Sequence, residues 1–245
     1  MTTGRFGYRE IADELRDRID SGALAPNAKV PGENELMATY GVEQPTARRA
    51  LDVLKNEGLI IARRGAGTFV REFRPRWRVS PDRLSETVWA TGDGVWSSDD
   101  SEQPPRVLDI GITREPPPPA IAEVLGTDRV VVRTRTYAID DNPIQLATSY
   151  YPADLVEGSR VTEEDTGPGG VYARLAELGH KPTLFREQLR CRMPRADQAA
   201  ALGLAQGTPV VEIMRTAYTA DERVVEVNTM VLDSSAYMLE YRFTS

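Results

Sequence analysis

The 245-residue sequence predicts an α+β protein in two parts: a small basic part of helices and a β-hairpin, then a larger acidic part built on an antiparallel sheet. Charge is the first observation behind this. Residues 1–78 hold 14 basic and 11 acidic residues, a net of +3, whereas residues 79–245 hold 16 and 26, a net of −10, so the whole-chain value of −7 averages two unlike halves. Such asymmetry marks a nucleic-acid-binding segment joined to something else, or two domains with different solubilising surfaces. Periodicity is the second: apolar residues recur every three to four positions up to Glu57 and mostly alternate after Arg106. The third is a shortage. With one cysteine, Cys191, and one histidine, His180, the chain cannot form an internal disulfide, a zinc site of several Cys and His ligands, or a catalytic pair that avoids His180. Both residues read as structural, and no cofactor or metal is expected.

Taken in order, Tyr8–Ser21 places Tyr8, Ile11, Leu15 and Ile19 on one helical face, and Gly22 suits the left-handed position after a helix end. An ordered loop follows through Leu24, Pro26 and Val30-Pro31-Gly32. Glu33–Tyr40 is a second helix with Leu36 and Met37 inward, stopped at Gly41. Pro45–Glu57 is a third, with Ala47, Ala50, Leu51 and Leu54 inward, Gln44, Arg48, Arg49, Asp52 and Lys55 outward, and Pro45 as a first helical residue. Leu59–Ala62 and Gly67–Arg71 form a hairpin around Arg63-Arg64-Gly65-Ala66. Two short helices joined by a Gly-containing turn, then a basic hairpin, make a winged helix-turn-helix. A helix fits the major groove and touches base edges with its N-terminal residues, while wing arginines reach phosphates or the minor groove. The segment Glu43–Arg78, with nine basic residues against four acidic, carries the charge this needs.

These residues also carry a resemblance. Tyr8-Arg9-Glu10-Ile11-Ala12, Ser21-Gly22-x-Leu24-x-Pro26, Lys29-Val30-Pro31-Gly32-Glu33-x-Glu35-Leu36, Thr46-Ala47-Arg48-Arg49-Ala50-Leu51 and Arg63-x-Gly65-x-Gly67-Thr68-Phe69-Val70 resemble the GntR family of bacterial regulators. The resemblance implies that Arg48 is the recognition-helix arginine, that Asn34 sits where many members place a DNA-contacting arginine, and that Gln44, Thr46, Arg49, Arg63, Arg64 and Gly65 fall at further contact positions. Where members commonly read Val-Ser-Arg after the turn glycine, this chain reads Val42-Glu43-Gln44-Pro45. Glu43 caps a helix less well than serine and is repelled by phosphate, though it can accept from a cytosine amino group. An altered operator half-site is therefore expected.

The first domain is expected over residues 1–73, a linker over 74–103 and the second domain over 104–245. The linker is broken by prolines and glycines and holds Trp77, Trp89 and Trp96, which either anchor a core or pack the connector onto a domain or a partner chain. Beyond it, Val107–Thr113, Arg129–Ile139, Ile144–Tyr151, Leu184–Arg192, Val210–Tyr218, Val224–Leu232 and Met238–Phe243 read as strands, and Pro117–Leu125, Val171–Leu178 and Ala196–Leu202 as helices. A weak repeat runs through them: helix, Leu125-Gly126, strand, turn, strand is echoed by helix, Leu202-Gly203, strand, turn, strand, and Arg135-Thr136 by Arg215-Thr216. Two related halves around one antiparallel sheet would leave a pocket between them.

This layout, with Arg133-x-Arg135, Asn142-Pro143-Ile144, Tyr150-Tyr151-Pro152, Val171-Tyr172 and Val225-Glu226, resembles the UTRA effector domain of the HutC-like branch, a chorismate-lyase-like fold. The resemblance implies that Arg133, Arg135, Tyr172 and Glu226 bind a small-molecule effector. Alternate residues on one strand share a face, so the two arginines can converge on one anion; the bland reading has them paired structurally with Asp or Glu. Ala147, Gly170 and Leu232 stand where sugar-phosphate-responsive members carry Glu, Ser and Tyr, which points to an anionic or amphipathic metabolite of another class.

The function so implied is that of a ligand-responsive transcription factor, not an enzyme: a repressor that binds double-stranded, pseudo-palindromic operator DNA as a homodimer and is released by its effector. The alternative is an effector-independent repressor, of plasmid-transfer or autoregulatory type, whose C-terminal domain only dimerises. A polar start, the absence of any 18-residue apolar run and the single thiol point to a cytoplasmic location without membrane partners.

Overall fold

A computed structural model describes residues 6–63, 65–72, 76–79, 83–87, 105–139 and 141–241. The chain divides into two compact units, residues 1–74 with 204–208, and residues 75–203 with 209–245.

In the first unit, α1 (Tyr8–Asp20), α2 (Glu33–Tyr40) and α3 (Gln44–Asn56) precede β1 (Ile60–Arg63) and β2 (Gly67–Val70). Ile11, Leu15, Leu36, Ala47, Ala50, Leu54 and Ile60 meet in one core, each at 1% exposure or less. Gly41 makes the turn between α2 and α3: at φ 62° it is left-handed, and its N–H donates to the carbonyl of Met37 at 3.0 Å. A side chain is strained there. The Glu35 carboxylate accepts from the Gly32 N–H at 2.8 Å and so satisfies a donor at the start of α2. Arg16 donates to both Glu57 oxygens, at 2.7 and 3.0 Å, fastening α1 to the end of α3. Helix α3 starts one residue before the expected Pro45, which a proline in the first turn tolerates. The β1–β2 hairpin pairs Ile60 with Val70, and Lys29 bridges to Phe69, so the loop before α2 joins the wing as a further antiparallel partner.

The second unit contains β3 (Arg76–Val79), β4 (Arg106–Thr113), α4 (Pro119–Leu125), β5 (Val130–Ile139), β6 (Asn142–Pro152), α5 (Ala153–Val156), a 3₁₀ turn (Arg160–Thr162), α6 (Gly170–Glu177), β7 (Leu184–Arg192), α7 (Ala196–Ala201), β8 (Val210–Tyr218), β9 (Val224–Asp233) and β10 (Tyr237–Glu240). Six of these strands form an antiparallel sheet in the order β4-β5-β6-β9-β8-β7. The internal repeat is visible in it: α4-β5-β6 and α7-β8-β9 are equivalent, and β6 and β9 meet at the centre, with Thr148 opposite Thr229.

One face of the sheet is covered by α4, whose Ile121 and Leu125 pack on Val130, Val132 and Val227. The other face carries two apolar clusters. One, around Val131, Tyr151 and Ala217, is closed by α5 and by Leu175 of α6; the other, around Ile144, Ile213 and Leu232, is closed by Tyr237 of β10. Polar side chains occupy the stretch between them.

The last strand departs from expectation. It spans Tyr237–Glu240 instead of Met238–Phe243 and leaves the large sheet to pair in parallel with β3, Leu239 opposite Arg78. Strand β3 lies in the segment read as a linker. Its pattern is inverted, with Trp77 43% exposed and Arg78 fully buried, so hydrophobicity gave no strand signal. Trp77 is thus no core anchor, while Trp89 and Trp96 lie outside the described residues. The short α5 and the 3₁₀ turn were also missed, being too brief to show a helical period.

Leu54 is fully enclosed by the helices of the first unit. Leu54→Ala is expected to cost about 2–5 kcal/mol, seen in chemical denaturation as a lower midpoint for the transition of the first unit.

Candidate functional site

On the first unit, the candidate DNA contacts fall on an exposed surface. Asn34 lies in the first turn of α2, and Gln44, Thr46, Arg48 and Arg49 in the first half of α3. Asn34, Gln44, Arg48 and Arg49 are exposed and Thr46 is half-buried. Glu43 is the N-terminal cap of α3 and makes no side-chain capping bond, as its chemistry predicts. The contacts are not equally held. Gln44 donates to Glu33 at 2.8 Å, and the Arg49 guanidinium lies 4.0 Å from the centre of the Tyr8 ring. Arg63, on β1, stacks on Phe69 and donates to Asn27 at 2.6 Å, and Asn27 in turn donates to Glu72. Arg48 has no such partner among the described residues. Gly65 sits at the exposed hairpin tip with φ 74°, and Arg64 lies outside the described residues.

On the second unit, the polar stretch of the sheet is the floor of a cavity of about 220 Å³. Arg133, Arg135 and Tyr137 of β5, Gln145, Ala147 and Tyr151 of β6, Glu226, Asn228 and Met230 of β9, and Arg215 of β8 line it; the segment 169–172 at the start of α6 walls one side. The structure brings Arg133, Arg135, Tyr172 and Glu226 together at this cavity, the two arginines sharing a face as the period of two requires. Among the described residues, five arginines line this cavity (Arg78, Arg83, Arg133, Arg135 and Arg215) against the carboxylates of Glu164 and Glu226.

The two expected arginines do different things. Arg133 is buried and donates to the backbone carbonyls of Val161 at 2.8 Å, Glu164 at 3.1 Å and Glu163, so it holds the loop that leads into α6. Arg135 donates to the Ser149 hydroxyl. Neither forms an ion pair with Asp or Glu among the described residues, so the structural pairing weighed from sequence is not what they make. Buried acid–base pairing falls elsewhere: Arg215 donates to Glu187 Oε1 at 2.7 and 2.9 Å, and Arg78 reaches the same oxygen at 3.2 Å. Glu226 accepts from Tyr151 at 2.6 Å and Tyr172 at 2.7 Å, one hydroxyl on each oxygen. Burial, then the Glu226 charge, pushes both phenols above the usual tyrosine range. Burial pulls Arg133 below the usual arginine value.

Of the positions that depart from sugar-phosphate-responsive members, Ala147 and Gly170 line the cavity, whereas Leu232 is buried in the apolar cluster beside it. Buried polar atoms of the lining lack a hydrogen-bond partner: Nε of Arg133, Nε of Arg135 and Oδ1 of Asn228.

Comparison with known proteins bears on both units. Residues 7–70 match the model for bacterial regulatory proteins of the gntR family, and residues 102–238 that for the UTRA domain. The HTH-type transcriptional regulator SCO4628 of Streptomyces coelicolor is 31% identical, the alignment covering 96% of this chain and 92% of the relative. The chain belongs to the GntR family and carries a UTRA domain. The HTH-type transcriptional repressor NagR of Bacillus subtilis is 27% identical over 86% of the chain and 84% of its own length. A crystal structure described as a GntR-family transcriptional regulator superposes with a TM-score of 0.64 at 25% identity, covering 99% of each chain. That of PhnF from Mycobacterium smegmatis shares the fold, with a TM-score of 0.53 at 21% identity.

Several residues in or beside the cavity were missed as site candidates. Tyr151 and Arg215 each had a signal, the Tyr150-Tyr151 pair and the echo of Arg135-Thr136 in Arg215-Thr216. Arg78 and Glu187 had none, because a buried arginine in a linker-like stretch and one glutamate on an edge strand resemble solvated surface.

The phenols at Glu226 set an alkaline limit. Below pH of about 10 both are protonated in the folded and unfolded chain alike. Above it the unfolded chain releases protons that the folded chain retains, so stability falls as pH rises. Tyr172→Phe removes one such group, and its loss of stability between neutral and strongly alkaline pH, followed by thermal unfolding, is expected to be smaller than that of the parent.

Proposed function

We propose that this GntR-family protein is a cytoplasmic repressor whose operator affinity is lowered by an anionic metabolite held in the UTRA cavity. The observation that carries this reading is the lining of that cavity: among the described residues, five guanidiniums stand against two carboxylates, and buried donors on Arg133 and Arg135 are unmatched. An unmatched buried polar group costs about 1–3 kcal/mol, which a bound anion recovers. Residues 1–73 read DNA, with Asn34, Gln44, Thr46, Arg48, Arg49, Arg63, Arg64 and Gly65 at the interface. Residues 104–245 bind effector through Arg133, Arg135, Tyr172 and Glu226 and form the homodimer, joined to the first part by the segment 74–103. Two heads then meet a pseudo-palindromic operator at a spacing of whole helical turns. The effector acts only through different affinities for two dimer geometries. The name of NagR as a repressor supports the sign of regulation.

Arg48→Ala is expected to weaken binding to a selected operator by about 1–3 kcal/mol in a mobility-shift titration, with dimerisation unchanged. Binding-site selection should return a half-site that differs from the common family sequence at the positions facing Glu43 and Gln44. A thermal-shift screen of carboxylate and phosphate metabolites should find a ligand that stabilises the parent chain but not Arg135→Gln. At a hundred times its Kd such a ligand adds about 2.7 kcal/mol. No stabilising ligand, together with operator binding that no metabolite alters, would instead leave an effector-independent repressor.

A further inference from the structure

Glu187 stands at a junction that the effector reading does not use. It lies on the edge strand β7, yet its side chain is only 7% exposed. Its Oε1 accepts from Arg215 Nε and Nη2 at 2.9 and 2.7 Å and from Arg78 Nη2 at 3.2 Å, and its Oε2 accepts from the Tyr241 hydroxyl at 3.1 Å. Arg215 and Arg78 both line the cavity. Arg78 belongs to β3 and Tyr241 directly follows β10, so one carboxylate holds both strands of the parallel ribbon. The ribbon is also the start of the second unit: the first unit's leading segment ends at Arg74 and β3 begins at Arg76.

We propose that Glu187 competes with the anionic effector for Arg78 and Arg215, and that this competition transmits occupancy of the cavity to strand β3. The proposal rests on the reading of the cavity as an anion site. A guanidinium shared between two anions in a low-dielectric pocket bonds each less well than it bonds one alone. A ligand oxyanion that engages Arg78 and Arg215 therefore weakens their bonds to Glu187. Glu187 then holds Arg78 less firmly, and the β3–β10 ribbon loosens next to the chain's exit toward the DNA-binding unit. Arg78 becomes a ligand contact as well as an anchor, which gives a reason for a fully buried arginine beside the exposed Trp77.

The test uses the full-length chain and inorganic phosphate as the probe, with two readouts: calorimetric affinity and amide hydrogen exchange of residues 76–79. Glu187→Gln keeps the size of the side chain and removes the competing charge; it is expected to bind phosphate about tenfold more tightly and to show faster exchange across β3 even without phosphate. Arg78→Lys keeps the charge, loses the fork and is expected to bind about tenfold more weakly. Glu164→Gln removes an exposed rim carboxylate that touches neither arginine and so measures the general electrostatic gain. In the parent chain phosphate should speed exchange across β3. An affinity gain for Glu187→Gln no larger than that of Glu164→Gln, or β3 exchange indifferent to phosphate, overturns the competition. If phosphate binding survives Arg135→Gln unchanged, the cavity reading fails with it; if Arg135→Gln abolishes binding while the Glu187 and Arg78 variants match the parent, only the competition fails.

Discussion

Taking a guanidinium out of water is costly unless its donors find partners, and the second unit takes Arg78, Arg83, Arg133 and Arg215 to 4% exposure or less around one cavity. Much of that unit's arrangement follows from this. The cavity lies where it does because those side chains interrupt the apolar surface of the sheet, leaving one cluster under α5 and α6 and another under β10. The 3₁₀ turn and the residues after it are drawn to the sheet because their carbonyls are the partners of Arg133. Glu226 and Glu187 hold the two ends of a chain of contacts that runs from Tyr151 through Tyr172 and Arg215 to Arg78. Such a network specifies one arrangement more sharply than an apolar core does, because each unmatched member is costly.

The DNA-binding unit is organised differently. Its core is apolar throughout, and its charges stay on the surface, where they cost little to hold. Separation of the two roles explains how an acidic chain binds a polyanion: the basic stretch from Glu43 to Arg78 carries α3 and the wing, while the surplus of carboxylates belongs to the larger unit.

Most of the fold was legible in the sequence because most elements obey their period. Helix α2 and strands β7 and β8 fall at the expected bounds, and Gly41 stops α2 where a left-handed residue was needed. The repeat of Leu125-Gly126 in Leu202-Gly203 foretold the two equivalent hairpins. Strand β3 was illegible for the same reason that it matters: it exposes Trp77 and buries Arg78, reversing the rule by which strands are read. The candidate site was legible where residues on one strand alternate, as in Arg133-x-Arg135, and illegible where it depends on strands distant in sequence. Glu187 is 109 residues from Arg78, and nothing local to either announces the other.

Arg48 differs from its neighbours in how far it is already ordered. Arg49 rests on Tyr8 and Arg63 on Phe69 and Asn27, so both have given up rotamer freedom before any partner arrives. Arg48, with no such hold, brings its freedom to the encounter, and an arginine side chain carries about 2 kcal/mol of rotamer entropy. A mobile guanidinium can settle against more than one base edge or phosphate as the duplex varies. On the proposed reading of these residues as DNA contacts, the pre-set arginines would fix the protein's register on DNA, and the unrestrained one would set how much sequence variation among operators the protein tolerates.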